Sequence, residues 1–176
     1  MISRTRLLVP VLALALSSAA ACGGSSEPSS SGSPSASTAP AASAPAVTPA
    51  GRKIEIVVSD AMKFDVTEIR AKAGERLSVT LTNKGTMPKF SMGHNWILLA
   101  AKVDPAAFVA VAADAPTTDY VPAAKRAEIV ASTKLLGPNE QDTITFAAPS
   151  TPGRYDFLCS FPGHFPVGMR GVLIVE

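Results

Sequence analysis

Arg154-Tyr-Asp-Phe-Leu-Cys159-Ser-Phe-Pro-Gly-His164-Phe-Pro-Val-Gly-Met169-Arg-Gly-Val-Leu-Ile-Val-Glu176 closes the chain. Its two ends, Arg154 to Cys159 and Gly171 to Glu176, are rich in aromatic and β-branched residues. The middle carries Pro162, Gly163, Pro166 and Gly168, so the stretch reads as two strands joined by a loop. The same signature recurs upstream. Lys53-Ile-Glu-Ile-Val-Val-Ser59 alternates polar and apolar residues, and Arg76-Leu-Ser-Val-Thr-Leu-Thr-Asn83 places Leu77, Val79 and Leu81 on one face. Trp96 to Ala100 and Asp142-Thr-Ile-Thr-Phe146 complete the strand-like runs. Turn signals separate them at Ala73-Gly74-Glu75, Lys84-Gly85, Gly137-Pro138-Asn139 and Thr151-Pro152-Gly153. Many short, punctuated strands of period two predict an all-β domain, an antiparallel sandwich or barrel. Residues 104–126 break the pattern: Asp104-Pro105 before Ala-Ala-Phe-Val-Ala-Val predicts a capped helix with proline at its first position, hence a helical insertion between two strands.

The other end of the chain cannot join that core. Met1 to Arg6 is basic, Leu7 to Ala21 is apolar, and Cys22-Gly23-Gly24 follows, the layout of an export signal over residues 1–21. The apolar run falls short of the roughly 20 residues a membrane span needs. Ala19-Ala20-Ala21-Cys22 resembles the lipobox of bacterial lipoproteins, with Ala19 where those signals usually carry leucine, and the resemblance implies a lipid on Cys22. From there to Ala50 the chain is almost wholly Ser, Pro, Ala, Gly and Thr, which buries too little apolar surface to offset the entropy of ordering. Residues 22–50 are expected to form an extended tether and residues 51–176 the folded domain.

Charge excludes one class of function. The 16 basic residues include Arg4 and Arg6, so without the signal the count is 14 against 14 acidic. No basic cluster stands out, and no nucleic-acid partner is expected. The two cysteines carry more information. An exported protein meets an oxidising compartment, but if Cys22 is acylated then Cys159 has no partner and is either a free thiol or a metal ligand.

The chain has two histidines, His94 and His164, both in loop-like stretches beside strands. A lone histidine is more often structural, and a lone methionine is almost always packing. The arrangement is what counts: a strand ends in Cys159, a Pro/Gly loop offers His164 and then Met169, and the next strand begins at Gly171. Such a loop can fold three side chains toward one point, with His94 supplied 65 residues before Cys159. A thiolate with two imidazoles and a distant thioether suits both oxidation states of copper. A hard cation would need carboxylates, and Cys159 to Met169 contains none.

At these residues the sequence resembles the cupredoxins, or blue copper proteins, in their azurin and auracyanin branch. The matching motifs are Met92-Gly93-His94-Asn95-Trp96, Thr133-Lys134-Leu135 and Cys159-Ser-Phe-Pro-Gly-His164. The resemblance implies a Greek-key fold and one type 1 copper per chain. It implies His94, Cys159 and His164 as in-plane ligands, Met169 as the axial one, and the Gly93 carbonyl as a weak fifth contact. Asn95 is expected to tie the two metal-bearing loops together through the stretch that includes Ser160, an orienting role behind the ligands. Four residues separate His164 from Met169, the auracyanin and plastocyanin spacing; azurins have three. Azurin's disulfide has no counterpart, and Asn83 stands where azurins carry a further histidine.

These features lead to an expected single-electron carrier, not an enzyme, tethered at the outer face of a bacterial membrane and facing the periplasm or exterior. Redox proteins, a cytochrome or a membrane electron-transfer complex, are the expected partners. They would dock at an apolar patch around an exposed edge of His164, drawn from Phe161, Pro162, Phe165, Pro166 and Val167 with Met87, Pro88 and Met92. The same ligands could serve a copper chaperone or store. A Cys-His hydrolase using Cys159, His164 and Asn95 conflicts with a cysteine that ends a strand rather than starting a helix. A structural zinc site would lack a good fourth donor, and a multicopper enzyme would need more histidines.

Overall fold

The computed structural model describes residues 51–176; the expected export signal, Cys22 and the expected tether lie outside the described residues. Strand β3 (Arg76–Asn83) shows how the sequence builds the core. Its alternation buries Leu77, Val79, Leu81 and Asn83 and leaves the intervening residues partly exposed. A fully buried leucine of this kind contributes roughly 1.5–3 kcal/mol relative to an exposed one. β1 (Arg52–Val58) does the same with Ile54, Ile56 and Val58, and β6 (Gln141–Ala147) completes a three-stranded sheet in the order β1-β3-β6. A second sheet has the order β2-β8-β7-β4-β5, from β2 (Glu68–Ala71), β4 (Ile97–Leu99), β5 (Ile129–Ser132), β7 (Gly153–Leu158) and β8 (Arg170–Val175). The two faces enclose Trp96, Phe157, Leu98, Leu173 and Phe64 between them.

The fold is all-β, as expected, but the sheets are mixed. β1 runs parallel to β3, and β2 parallel to β8. Alternation reports burial and not direction. Because the chain leaves the first sheet after β1 to form β2 in the second and then returns, β1 and β3 point the same way. Two strands escaped the sequence reading: β2 is four residues long and half charged, and β5 follows directly on a helical turn.

The insertion is present. Helix α2 (Pro105–Ala112) starts where expected, with Asp104 as its cap and the Ala106 amide donating to Asp104 Oδ1 at 2.9 Å. Two short 3-10 turns follow, Pro116–Thr118 and Ala123–Glu128. α2 covers the outer face of the second sheet, where Phe108 and Ala112 pack on Ile97, Leu99 and Leu158. That is why all three residues of β4 are buried.

Position along β1 also sets the polarity of the domain. Arg52 pairs with Leu77 at one end, and Val58 pairs with Asn83 at the other, beside the loop that leads to α1 (Lys89–Met92) and His94. Seven residues of strand, about 20 Å at a strand's rise, separate the chain's entry into the sheet from that loop.

Candidate metal centre

His94 follows α1 and Gly93. It is fixed by a main-chain bridge to Leu136, the His94 amide donating to the Leu136 carbonyl at 3.1 Å and the Leu136 amide donating back at 2.7 Å. Gly93 is required there by close packing, since a Cβ would lie 2.7 Å from the Lys89 carbonyl oxygen and 2.9 Å from the Leu135 side chain. Cys159 ends β7, its amide donating to the Met169 carbonyl at 3.2 Å. The His164 amide donates to the Phe161 carbonyl at 3.1 Å, and the Met169 amide donates to the His164 carbonyl at 3.0 Å. Gly163 and Gly168, with φ of +87° and +93°, make the two bends that fold this loop back on itself.

The loop and the distant His94 converge. One ligand atom each from His94, Cys159 and His164 lies within 4.8 Å of the others, and all three residues are buried. Cys159 Sγ is 3.5 Å from His164 Nδ1. Two donors of a trigonal set with bonds of roughly 2.0 and 2.3 Å would be about 3.7 Å apart, so the pair is spaced to share an ion. Both ring nitrogens of His94 are buried without a hydrogen-bond partner. An orphaned buried imidazole is costly unless one nitrogen binds a metal. The donor set of one thiol and two imidazoles therefore fits copper.

Burial governs the protonation of the set. It pushes the Cys159 thiol up to about 12. Burial also lowers His164 to about 4, helped by the nearby His94, and it lowers His94, against which the negative charge of Asp60 acts. The imidazoles are thus neutral, as metal ligands must be.

Asn95 links the segment that follows His94 to the one that follows Cys159. Its Oδ1 accepts from the Ser160 amide at 2.9 Å and its Nδ2 donates to Ser160 Oγ at 2.9 Å. Met169 is fully buried next to the cluster in sequence and hydrogen bonding. Two expectations about the surface need correction. His164 is only 2% exposed and Phe161 only 8%, because the rings of Phe161 and His164 pack at 4.7 Å under the loop. Phe90, absent from the expected patch, is 83% exposed one turn before His94. A four-residue helix between Pro88 and Gly93 turns it outward, and no periodicity in so short a segment could show that. Met87 and Val167 are exposed as expected, and an apolar cavity of about 350 Å³ opens between α2 and the loop, lined by Val109, Ala110, Phe165 and Pro166 among others.

A buried thiol and two buried imidazoles, brought together by a strand-end loop and a distant loop at one end of a β-sandwich, define the metal centre of a cupredoxin. The chain belongs to the plastocyanin/azurin family of copper-binding proteins, whose family model matches residues 52–176. Copper is its cofactor, and the His94, Cys159 and His164 group is the place among the described residues built to take it. Azurin of Pseudomonas chlororaphis is 35% identical over 132 residues, covering 70% of this chain and 98% of the azurin. Auracyanin-A of Chloroflexus aurantiacus is 35% identical over 175 residues, 98% of this chain and 97% of the relative. The solved structure of auracyanin A from Chloroflexus aurantiacus, described as a "blue" copper protein, superposes with a TM-score of 0.63 at 33% identity, covering 71% of this chain and 98% of that one.

Proposed function

We propose that this protein is a single-electron carrier in which His94, Cys159 and His164 would hold one type 1 copper, with the Met169 thioether and the Gly93 carbonyl as weaker contacts. The observation that carries the reading is the convergence of three buried soft donors within 4.8 Å. Bound there, copper supplies a one-electron couple. The residues around it supply rigidity: the Leu136 bridge fixes His94, Asn95 joins the loops, and Gly163 and Gly168 hold the turn of the ligand loop. A site so held changes shape little with the charge of its ion, which keeps transfer fast. Full burial of Cys159 closes it to a substrate and speaks against a thiol hydrolase.

In the same reading residues 1–21 are an export signal, Cys22 carries a lipid, and residues 22–50 tether a domain of residues 51–176 to the outer face of a bacterial membrane. The match to auracyanin-A over 98% of the chain supports treating the leader and the domain as one unit. The strand that begins the domain starts at the end away from His94, which leaves the metal end free to meet redox proteins. Those partners dock on the apolar surface made by Val167, Pro162, Pro166, Met87 and Phe90, with electrons passing through the thinly covered His164 ring.

The test is the visible and EPR spectrum of the copper-loaded full-length protein. An intense blue band with a narrow copper hyperfine splitting is expected, and Cys159→Ser abolishes both; a Cys159→Ser protein that stayed blue would overturn the ligand assignment. Repeated reduction and oxidation with copper retained identifies a carrier, whereas release of copper to an acceptor identifies a chaperone or store.

A further inference from the structure

We propose that the turn at Asp119 and Tyr120 is a positioning element for the metal-binding loops, gripping the Asn95–Ser160 pair through two successive main-chain carbonyls. Both residues are in the left-handed region, with φ of +56° and +58°. That region is unfavourable for an L residue and rare for a bulky aromatic such as Tyr120. Two such residues in succession persist only where the surroundings hold them.

The surroundings are the metal site. The Asp119 carbonyl accepts from Asn95 Nδ2 at 3.0 Å, and the Tyr120 carbonyl accepts from Ser160 Oγ at 2.7 Å. Helical dihedrals of either hand aim consecutive carbonyls to one side, whereas extended backbone would aim them apart. Asp119 Oδ2 also accepts from the Leu135 amide at 3.4 Å, next to the residue that bridges His94. The Tyr120 ring meets Phe161 edge-on at 5.1 Å, and Phe161 lies 4.7 Å from the His164 ring. One turn therefore reaches the neighbours of all three ligands.

Counting protons shows why the pair needs it. Asn95 Nδ2 has two hydrogens, one used on Ser160 Oγ and one on the Asp119 carbonyl. Ser160 Oγ has a single hydrogen and two acceptors in reach, the Tyr120 carbonyl at 2.7 Å and Asn95 Oδ1 at 3.3 Å. The shorter contact takes it. Without the turn, one buried Asn95 Nδ2 hydrogen would be left unpaired and the Ser160 hydroxyl would keep only its longer contact to Asn95 Oδ1, so the pair would be held less firmly. The helical insertion is in this way coupled to the loop that carries Cys159 and His164.

The inference rests on reading His94, Cys159 and His164 as the metal ligands, and its test separates the two. In the metal-free full-length protein the amide of residue 160, which donates to Asn95, reports the grip by hydrogen exchange. Asp119→Val, a β-branched residue that resists the left-handed region, and Ser160→Ala are each expected to speed that exchange about tenfold. The double variant should be no faster than either single one, since both break the same strut. Asp119→Asn tolerates the left-handed region and should behave as wild type. After copper loading, Asp119→Val and Ser160→Ala should shift the copper hyperfine splitting in EPR, and Asp119→Asn should not. Additive exchange rates, or an Asp119→Val protein that exchanges like wild type, would overturn the proposal. If Asp119→Val does not fold, Tyr120→Gly decides: glycine keeps the turn and removes the ring, so protection of residue 160 must survive, and its loss would refute the role given to the carbonyls. A wild-type protein with no blue copper signal but with coupled exchange would refute the proposed function and leave the strut standing.

Discussion

The ammonium of Lys63 donates to the carbonyl of Val167 at 2.6 Å, pinning the bend between His164 and Met169 from a loop 104 residues earlier in the chain. The contact is specific to that bend. At Gly168, with φ of +93°, a Cβ would stand 2.9 Å from the same ammonium. The charge of Lys63 is thus held beside the copper loop, where it disfavours the more positive, oxidised form. Lys63→Met should lower the reduction potential by on the order of tens of millivolts, and Lys63→Arg should largely restore it. Voltammetry at low and high salt checks this, because the difference between the variants should shrink as salt screens the charge.

Met169 is fully buried, so Met169→Leu conserves volume and should cost less than about 1.5 kcal/mol of stability. Its electronic effect should be larger. If the Met169 thioether is one of the copper contacts, as proposed, its loss would leave the thiolate and imidazoles in place, so the blue band should persist while the potential rises. An unchanged potential in a folded, blue Met169→Leu protein would remove Met169 from the ligand set.

What the sequence made legible followed from how local the signal was. Leu77, Val79 and Leu81 alternate within one strand, Asp104-Pro105 caps a helix within four residues, and Cys159, His164 and Met169 share one loop; each is decided by neighbours along the chain. Strand direction was not legible, because the parallel pairing of β1 with β3 depends on a crossover through β2 that no alternation records. Nor was the near-complete burial of His164, which comes from Phe161 packing back over its own loop. Asp119 and Tyr120 were invisible for a third reason: neither is a residue type that announces a left-handed turn as glycine does, and only the acceptors they offer to Asn95 and Ser160 reveal their purpose.

Asn95 makes the sharpest stability prediction. Its side chain donates to Asp119 and Ser160 and accepts from the Ser160 amide, with Asn95 and Ser160 both buried. Asn95→Leu fits the space but cannot answer those groups, and each buried group left unpaired costs about 1–3 kcal/mol. The metal-free protein should lose roughly 2–5 kcal/mol of unfolding free energy by this reckoning, measured by urea titration with the slope unchanged. A loss below about 1 kcal/mol would mean that water replaces the network at no cost.

Acid should also act at the pole away from the metal. Glu75 accepts from Arg52 Nε at 2.5 Å and from the Lys72 amide at 2.8 Å, and the bond from Arg52 is the foremost reason its carboxyl is held below the ordinary value of 4.5. A carboxylate whose folded pKa is depressed binds protons more readily in the unfolded chain. The stability it contributes is therefore fully present above the ordinary value and disappears as pH falls through the folded one. Glu75→Gln keeps the shape and removes the titration. At neutral pH the variant should melt below wild type; as pH falls below the ordinary value of 4.5 the wild type should lose melting temperature faster, so that the two curves converge. The comparison belongs on the metal-free protein, where protonation of the buried His94 and His164 imidazoles is common to both proteins and cancels in the difference. A gap between the two that stayed constant with pH would show that the Arg52–Glu75 pair contributes through packing rather than charge, as exposed ion pairs often do.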